Sequence, residues 1–592
     1  MRRVARPSRS IGVAILAASM ASAECGGSGG GPARSVMSGG GGDAGPASTA
    51  DAGGGSDAGA AWPPAIDPTA FGKADLSHVT VAAFSQVNVD GSDPQVLALT
   101  PDLVPRAWGQ WDTSGLKASD YAFAYPRSCQ AAGVTFVGGL TASVIFVDEM
   151  STADFDDEVG RDASGNPVAH PEIVAGAYRG ALASPGFRQK LIDIAELQID
   201  GGVDGLFFDE VNSSYIGANY SGNEGFDDHD VADFGRFLCL TRGASPSTLA
   251  AFQIAAADGY DCTSADPGAA FDYRGYLARL GVASAPLGPA KPLAALWGTT
   301  TQNRPNPAHG TFVEVYPSVV YWQAIVATVR NYARAKYGKE ILVTANGIFP
   351  FVDFQSVGLY DYNPDGPGPK GFDYAPLTGT APDVHYDGTQ SFMPAFASLK
   401  ASSDRIVGAV GGAPVPLLLF LDWPTDSINR YYAMPTAERQ DYIRVVLAEA
   451  YAYGEWFSLP LATTTDTSTA TALGMMGFFQ SIRAYYESHA VLFRGAQEAA
   501  APATVAQASI ASRTTTLPDG RTVVHLVNHA YSSGFIAQQG VTVTLPLARS
   551  PSSVTLASPD FTADQPATFA YASGLLTVNA GTLLSSVAIV VQ

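Results

Sequence analysis

The sequence predicts an α/β fold, a (β/α)8 TIM barrel that is followed by a small all-β sandwich domain. Short apolar segments alternate with amphipathic helical segments between residues 79 and 492, which is typical of a parallel sheet wrapped by helices. The clearest apolar segment, residues 203–208, follows two glycines and is too short for a helix, so it predicts a buried strand. After about residue 495, turn residues separate short strand-like segments, which favours a sandwich.

The N-terminal residues 1–23 have the features of an export signal. A basic segment comes first, with Arg2, Arg3, Arg6 and Arg9. The apolar segment that follows, residues 11–20, is too short to span a bilayer, and an Ala-Ser-Ala cleavage site ends at Ala23. Cys25 lies just beyond it and is a candidate lipid-anchor residue, as in bacterial lipoproteins. We therefore expect an exported protein that is extracellular, periplasmic or anchored to the outer membrane of a bacterium.

Composition limits the classes of partner. Residues 24–65 are rich in glycine, alanine and serine and predict a disordered linker, because they cannot bury enough apolar surface to fold. The net charge of −21 disfavours binding to nucleic acid, which requires clustered Lys and Arg. The cysteines show no zinc-site spacing, and the sequence indicates no cofactor. In an exported chain Cys239 and Cys262 could form a local disulfide, which would leave Cys129 as a buried thiol.

The barrel is predicted to span residues 66–498 and the sandwich residues 499–592. We predict barrel strands at residues 79–87, 104–111, 134–140, 203–208, 341–346, 357–362, 416–423 and 456–461. Helices are predicted at residues 119–132, 185–199, 318–337, 391–402, 436–453 and 472–492. The predicted sandwich strands are residues 523–528, 541–547, 554–557, 575–578 and 586–591.

Acids lie where several predicted barrel strands end, which is where such barrels carry functional groups. Asp209 and Glu210 follow the fourth strand, Asp361 lies near the end of the sixth, and Asp422 lies near the end of the seventh. A single Asp after a strand could instead cap the following turn. Candidate ligand-binding residues also fall near strand ends: Asn346 and the aromatic residues Trp108, Trp111, Tyr215, Tyr360, Tyr362 and Trp423. An aromatic residue taken alone is more often a packing residue.

An acidic cluster, residues 227–230, precedes a predicted helix that extends to Leu240. The cluster could bind a metal ion, but acids are also stabilised at a helix N-terminus by the helix dipole, and we favour that structural role. The acidic segment 148–158 lacks the ligand spacing of a calcium loop and predicts a solvated loop.

Several motifs resemble those of barrel-fold glycoside hydrolases. The longest covers residues 183–210, and shorter ones are Asn166-Pro167, Ala345-Asn346-Gly347, Leu421-Asp422-Trp423 and His525-Leu526-Val527-Asn528. These motifs are similar to those of bacterial glycosidases and, more distantly, of α-galactosidase-type and dextranase-type enzymes. In α-galactosidase-like enzymes the nucleophile ends strand four and the acid/base ends strand six. The resemblance therefore implies a carbohydrate substrate, with Asp209 and Asp361 in those roles and Glu210 and Asp422 in support.

The predicted function is hydrolysis of O-glycosidic bonds in an extracellular oligo- or polysaccharide by a carboxylate pair. Glu210 is the alternative to Asp209, because one register step exchanges which side chain points inward, and Glu314 is the alternative to Asp361. The alternative function is a non-catalytic surface carbohydrate-binding protein with a degenerate barrel. A metal-dependent hydrolase is disfavoured, because no predicted strand ends in a His-x-His pair.

Overall fold

The computed structural model describes residues 75–85, 92–108, 115–162, 164–170, 176–211, 225–236, 239, 254–259, 262–263, 271–272, 275–276, 279, 318–358, 377–379, 383–409, 411–421, 426–462 and 469–592. The predicted export signal, the linker and Cys25 lie outside these residues, and they stay predictions. The exact limits of the two domains also stay predictions. Within the described ranges, no helix combines the length and the apolar character needed to cross a membrane.

A parallel sheet of eight strands forms the barrel in the described part of the chain. The strands are β1 Ala82–Ser85, β2 Leu103–Val104, β3 Thr135–Thr141, β4 Gly205–Asp209, β5 Leu342–Ala345, β6 Gln355–Gly358, β7 Leu417–Phe420 and β8 Trp456–Ala462. They follow the order β5-β4-β3-β2-β1-β8-β7-β6, and every neighbouring pair is parallel. The two ends of this order meet, because Asn346 forms a β-bridge with Ser356 beyond the end of β5. The predicted barrel is therefore confirmed.

Helices surround this sheet. They are α1 Pro94–Leu99, α2 Ala124–Ala131, α3 Thr152–Glu158, α4 Pro185–Gly201, α5 Asp228–Arg236, α6 Ser318–Tyr337, α7 Met393–Ala409, α8 Asp426–Ala433, α9 Thr436–Ala452 and α10 Met476–Ser488. Short 3-10 helices lie at Ala118–Asp120, Val147–Glu149, Ala256–Asp258 and Ala490–Leu492. Two antiparallel strand pairs lie outside the barrel sheet, Val144–Phe146 with Ala177–Arg179 and Leu377–Thr378 with His385–Tyr386.

Local sequence explains how α4 leads into β4. The Ser184 hydroxyl caps the helix by accepting a hydrogen bond from Phe187 N at 3.4 Å, and Pro185 occupies the first turn, where a missing N–H costs nothing. Gly202 ends the helix with a φ of 100°, a conformation that glycine adopts without steric cost. Gly205 then opens β4, and a Cβ there would lie 2.6 Å from the Leu342 Cβ, so β4 and β5 pack closely only with glycine.

Several elements are shorter than predicted, and two of them bear on the site or on its packing. The second strand covers Leu103–Val104 rather than residues 104–111, and the φ of 49° at Trp108 excludes an extended strand at that residue. Beyond the end of β2, the Gln198 side chain provides the hydrogen bonds that a neighbouring strand would make with Gly139 of β3. Its amide accepts from Gly139 N at 2.9 Å and donates to Gly139 O at 2.6 Å. The second helix begins at Ala124 rather than residue 119, which puts Pro126 in its first turn, where proline is tolerated.

Ten further strands build the C-terminal region in the described residues. They are β9 Gln497–Glu498, β10 Thr504–Val505, β11 Ile510–Thr516, β12 Thr522–Asn528, β13 Gln538–Pro546, β14 Val554–Ala557, β15 Gln565–Pro566, β16 Thr568–Ala572, β17 Leu575–Leu583 and β18 Ser586–Val591. One sheet has the order β9-β11-β12-β18-β14-β15, and the other has the order β10-β13-β17-β16. Alternate residues of both sheets form a separate apolar core, including Val524, Val543, Leu576 and Ile589. The predicted sandwich is confirmed.

A buried polar cluster joins the barrel to the sandwich. Glu449 of α9 is fully buried, and its carboxylate lies 2.7 Å from His529 Nε2, just after β12. The same carboxylate accepts hydrogen bonds from Ser391 Oγ at 2.7 Å and from Phe392 N at 2.6 Å. Burial lowers the pKa of His529, but the hydrogen bond and charge of Glu449 outweigh burial and raise this pKa above its usual value. Both ring nitrogens face acceptors, Nδ1 the Gly388 carbonyl oxygen at 2.9 Å and Nε2 the Glu449 carboxylate, so we assign His529 as a buried cation that Glu449 neutralises.

The predicted pairing of two cysteines is confirmed. Cys239 and Cys262 form a disulfide with a Cα–Cα distance of 5.2 Å. Cys129 is buried as a free thiol, also as predicted, and burial raises its pKa to about 11. A thiol in this environment is unreactive at neutral pH.

We predict that the Glu449→Leu variant loses about 3–5 kcal/mol of unfolding free energy, because it leaves His529 buried without its counter-charge. Asp564→Leu is the control, since Asp564 pairs with His489 at 3.0 Å in a more exposed setting and should cost at most about 1 kcal/mol. Urea unfolding checks both values. The raised pKa of His529 means that this stabilisation is present at low pH and is lost as the pH rises through that pKa. Equal costs in the two variants would contradict the assignment.

Candidate functional site

A buried carboxylate, Asp209, lies at the carboxyl end of β4 and is only 2% exposed. Arg106 Nη2 lies 2.5 Å from Asp209 Oδ2. The other carboxylate oxygen, Oδ1, accepts hydrogen bonds from Asn346 Nδ2 at 3.2 Å and from Glu210 N at 3.0 Å. Groups that follow β2, β4 and β5 therefore fix both oxygens, so the carboxylate has one defined orientation at the barrel mouth.

Arg106 lies two residues after the end of β2, and its guanidinium packs against two aromatic rings of the barrel. Its guanidinium carbon lies 5.0 Å from the centre of the Phe207 ring and 5.8 Å from the centre of the Phe84 ring. Phe84 belongs to β1 and Phe207 to β4, so two barrel strands provide aromatic faces on which a cation is favourable. Arg106 is 4% exposed and brings a positive charge into the apolar end of the barrel.

The protonation of Asp209 reflects opposing influences. Burial raises its pKa, Arg106 opposes this rise, and the neighbouring charge of Glu210 adds to it. The net effect is a pKa above the usual aspartate value. A neutral Asp209 would leave Arg106 as an uncompensated buried cation, so we assign the ionised form to this pair at neutral pH. Such a carboxylate binds a proton more readily than one in water.

Glu210 follows Asp209 directly and has a different environment. Its backbone φ is 54°, a left-handed conformation that is costly for a residue with a Cβ and is often found at functional sites. The carboxylate lies 2.7 Å from His170 Nε2 and also accepts a hydrogen bond from Ser143 Oγ. Because an ionised carboxylate can only accept, His170 Nε2 carries the proton in this hydrogen bond.

The pKa of Glu210 is shifted in the opposite direction from that of Asp209. Burial raises it, but the hydrogen bond and charge of His170, the Ser143 hydroxyl and the charge of Arg179 together lower it below the usual value. The Glu210 side chain is 24% exposed, whereas that of Asp209 is 3% exposed. The two adjacent carboxylates thus differ both in their affinity for a proton and in their exposure to solvent.

The antiparallel pair Val144–Phe146 and Ala177–Arg179 positions the residues around Glu210. Ser143 directly precedes its first strand, and Arg179 is the last residue of its second strand. The His170 backbone donates to Ala177 O at 2.9 Å, which fixes the loop that carries the imidazole. The segment that follows β3 therefore supplies the three side chains around Glu210, which are those of Ser143, His170 and Arg179.

The structure brings together three predicted residues, Asp209, Glu210 and Asn346. Trp108 is 2% exposed and packs against Tyr121, Phe123 and Phe136 with ring-centre distances of 5.2, 5.7 and 5.2 Å. Its described role is packing, and its predicted ligand-binding role stays a prediction. The other predicted site residues, and the alternative Glu314, lie outside the described residues: Trp111, Tyr215, Tyr360, Asp361, Tyr362, Asp422 and Trp423.

Asp227 of the acidic cluster has a structural role. Its Oδ1 accepts a hydrogen bond from Asp230 N at 3.0 Å at the start of α5, where helical N–H groups lack partners. No group of three or more His, Cys, Asp or Glu side chains in the described ranges has the arrangement of a metal site.

The sequence interpretation missed four residues of the site, Arg106, Ser143, His170 and Arg179. Arg106 had a detectable signal, because it is a lone charge inside the predicted second strand, residues 104–111. The other three had none, since they lie in and around a short strand pair that follows β3 and has no clear periodicity.

We predict that Arg106→Leu costs about 3–5 kcal/mol of unfolding free energy, because Asp209 would then be a buried charge without its counter-charge. Arg334→Leu is the control, since Arg334 pairs with Glu340 at 2.5 Å on the exposed surface and should cost at most about 1 kcal/mol. The double variant Arg106→Leu/Asp209→Asn should recover most of the loss. Denaturant unfolding of the three variants measures this, and a double variant as unstable as Arg106→Leu would contradict the coupling.

Comparison with known proteins identifies no family. No protein-family model and no curated protein matches the chain. Solved structures of similar arrangement include a noncanonic maltogenic α-amylase from Thermotoga neapolitana, at 9% identity and a TM-score of 0.47, over 87% of this chain and 99% of that one. A cycloisomaltooligosaccharide glucanotransferase from Paenibacillus sp. complexed with cycloisomaltoheptaose has 10% identity and a TM-score of 0.42, over 87% and 85%. An α-amylase from H. orenii has 8% identity and a TM-score of 0.40, over 87% and 99%. At these low values, the chemistry of the site rests on its own residues.

Proposed function

We propose that this protein is a glycoside hydrolase that cleaves O-glycosidic bonds of an extracellular oligo- or polysaccharide. The observation that carries the proposal is the Asp209 carboxylate, which is buried at the carboxyl end of a barrel strand and held by Arg106 and Asn346. An ionised, oriented carboxylate at this position suits attack on an anomeric carbon or activation of a water molecule. It also suits stabilisation of the positive charge that develops on the sugar in the transition state.

We assign the nucleophile or general base to Asp209 and the general acid to Asp361. The position of Asp361 in the sequence, three residues after Gly358, which is the last residue of β6, supports this assignment. The separation of the two carboxylates decides the outcome, because about 5–5.5 Å suits retention and about 6.5–9.5 Å leaves room for an inverting water. Asp422 comes two residues after Phe420, the last residue of β7, and we assign it a supporting role in the same site.

Glu210 supports the reaction as a substrate-binding anion. Its lowered pKa keeps it ionised, and its side chain is 24% exposed, so sugar hydroxyls can donate hydrogen bonds to it. A group whose pKa is held low is a poor general acid near neutral pH. We propose that Asn346 orients Asp209, while Trp111, Tyr215, Tyr360, Tyr362 and Trp423 provide stacking faces for sugar rings.

We also propose that the protein acts outside the cytoplasm. The basic and apolar start of the chain, with its cleavage site at Ala23, supports export, and Cys25 is the candidate lipid anchor. The disulfide between Cys239 and Cys262 supports an oxidising compartment.

We predict that Asp209→Asn and Asp361→Asn each reduce turnover of a cleaved glycan by about 10³-fold or more, because each removes one of the two carboxylates that the reaction needs. Asp193→Asn is the matched control, since Asp193 is an exposed acid on α4 and should retain wild-type turnover. A polysaccharide panel assayed by reducing-end release identifies the substrate first. Wild-type turnover in Asp209→Asn with an intact fold would exclude that residue, and binding without cleavage by the wild type would favour a non-catalytic carbohydrate-binding protein.

The raised pKa of Asp209 sets the expected pH dependence. Because the reaction needs the carboxylate, kcat/KM should fall with decreasing pH through a pKa higher than that of free aspartate. Replacing Arg106 by Gln should move this acid limb to still higher pH, since the guanidinium opposes protonation of Asp209. A pH–rate profile of both proteins provides the test. An acid limb that moves to lower pH, or does not move, would contradict the proposed role of Arg106.

We predict a mature N-terminus at Glu24 or Cys25, with a covalent lipid if Cys25 is the anchor. Mass spectrometry of the protein isolated from its native cells measures both features. An intact Met1 terminus in the cytosolic fraction would contradict export.

A further inference from the structure

A hollow of about 190 Å³ lies at the floor of the barrel, at the amino-terminal ends of β7 and β8. Because all barrel strands are parallel, this is the opposite end from Asp209. The lining includes Lys400, Ser403, Asp404, Pro414, Tyr453 and Glu455. A second hollow of about 380 Å³ shares the segment 414–416, Gly454 and Gly495 with it, so the two adjoin.

Glu455 makes the first hollow unusual. The residue is 2% exposed, and neither of its carboxylate oxygens has a hydrogen-bond partner among the described residues. Ser403 Oγ and Asp404 Oδ1 are also buried without a described partner. Four acceptor atoms of residues that line the hollow therefore have no donor within the described part of the chain, and buried polar atoms in native proteins are rarely left so. Such a wall suits a ligand that donates several hydrogen bonds at once.

Charge around the hollow favours a neutral ligand. Lys400 Nζ lies 3.4 Å from Asp404 Oδ2, which largely cancels their charges. Burial raises the pKa of Glu455 well above its usual value, while Lys400 and Arg513 oppose this rise. A raised pKa favours the neutral form of Glu455, and Lys400 and Asp404 largely cancel each other, so neither a free cation nor an anion gains much from these groups.

The walls also differ in polarity. Pro414, Pro416, Leu417 and the body of Tyr453 add apolar surface to the lining of the hollow. A sugar ring combines hydroxyl groups at its rim with apolar C–H faces, which matches a pocket of mainly apolar walls and a few placed polar groups. The volume accommodates several water-sized groups, as a single ring requires.

We propose that the barrel floor is a second binding site that takes a neutral, polyhydroxylated ligand of about one sugar ring, with Glu455, Ser403 and Asp404 accepting its hydroxyl hydrogens. The site does not depend on the proposed hydrolase activity. It shares no residue with the cluster around Asp209.

The test is hydrogen–deuterium exchange of the full chain with D-glucose as the probe. Segments 411–421 and 453–458 should gain protection in the wild type and equally in Asp209→Asn, which separates this site from the barrel mouth. In Glu455→Leu the affinity for glucose should fall by about tenfold or more, because two acceptors are removed and the hollow is partly filled. Glu498→Leu is the matched control, since the Glu498 side chain is 81% exposed and does not line the hollow. In this variant, glucose should protect the two segments as it does in the wild type.

Three results would overturn the proposal. The first is that saturating glucose does not protect the two segments in folded wild-type protein. The second is that Glu455→Leu binds glucose with unchanged affinity. The third is that the cationic probe D-glucosamine protects the segments and glucose does not. If Glu455→Leu does not fold, Glu455→Gln provides the test, because it keeps the shape of the side chain. We expect this variant to bind glucose measurably more weakly than the wild type, but not to lose binding completely. Turnover in the Glu455 variants should match the wild type, so failure of this site and failure of the hydrolase proposal are distinguishable.

Discussion

Closure of the parallel barrel is the constraint on which the functional site depends. Each strand starts at the floor and ends at the mouth, so residues that follow β2, β4 and β5 must meet at one rim. This convergence buries the Asp209 carboxylate, and a buried carboxylate needs a partner. Arg106 meets this need at 2.5 Å, held over the rings of Phe84 and Phe207. The ion pair is thus a consequence of the barrel geometry as well as a basis for chemistry.

Two consecutive acids then acquire different properties through one backbone feature. The left-handed conformation of Glu210, with a φ of 54°, turns its side chain toward His170 and Ser143 while Asp209 stays with Arg106. The first acid has a raised pKa and the second a lowered one. Environments that separate the pKa values of neighbouring carboxylates are a recurring way to divide roles in an active site. A backbone conformation that is costly for glutamate is consistent with such a division.

Much of the fold could be predicted from the sequence, because it depends on short-range patterns. The glycine pair before residues 203–208, and the spacing of apolar residues in α4, are local signals of buried strand and packed helix. The end of β2 could not be predicted, because the positive φ of Trp108 and the contact of Gln198 with Gly139 are set by tertiary packing. Sequence patterns likewise indicated Asp209, Glu210 and Asn346. They could not indicate His170, which reaches Glu210 across 40 residues through a strand pair with no periodic signal.

We infer that the Asp209 carboxylate takes part in the reaction rather than only balancing the charge of Arg106. Chemical rescue tests this most directly, because a small anion can replace a reacting carboxylate in a variant that lacks it. We expect Asp209→Ala, assayed on a cleaved glycan, to be inactive and to regain turnover when azide or formate is added. The matched variant Asp193→Ala should be active without either anion. Wild-type turnover by folded Asp209→Ala without added anion would show that the Asp209 carboxylate takes no part in the reaction.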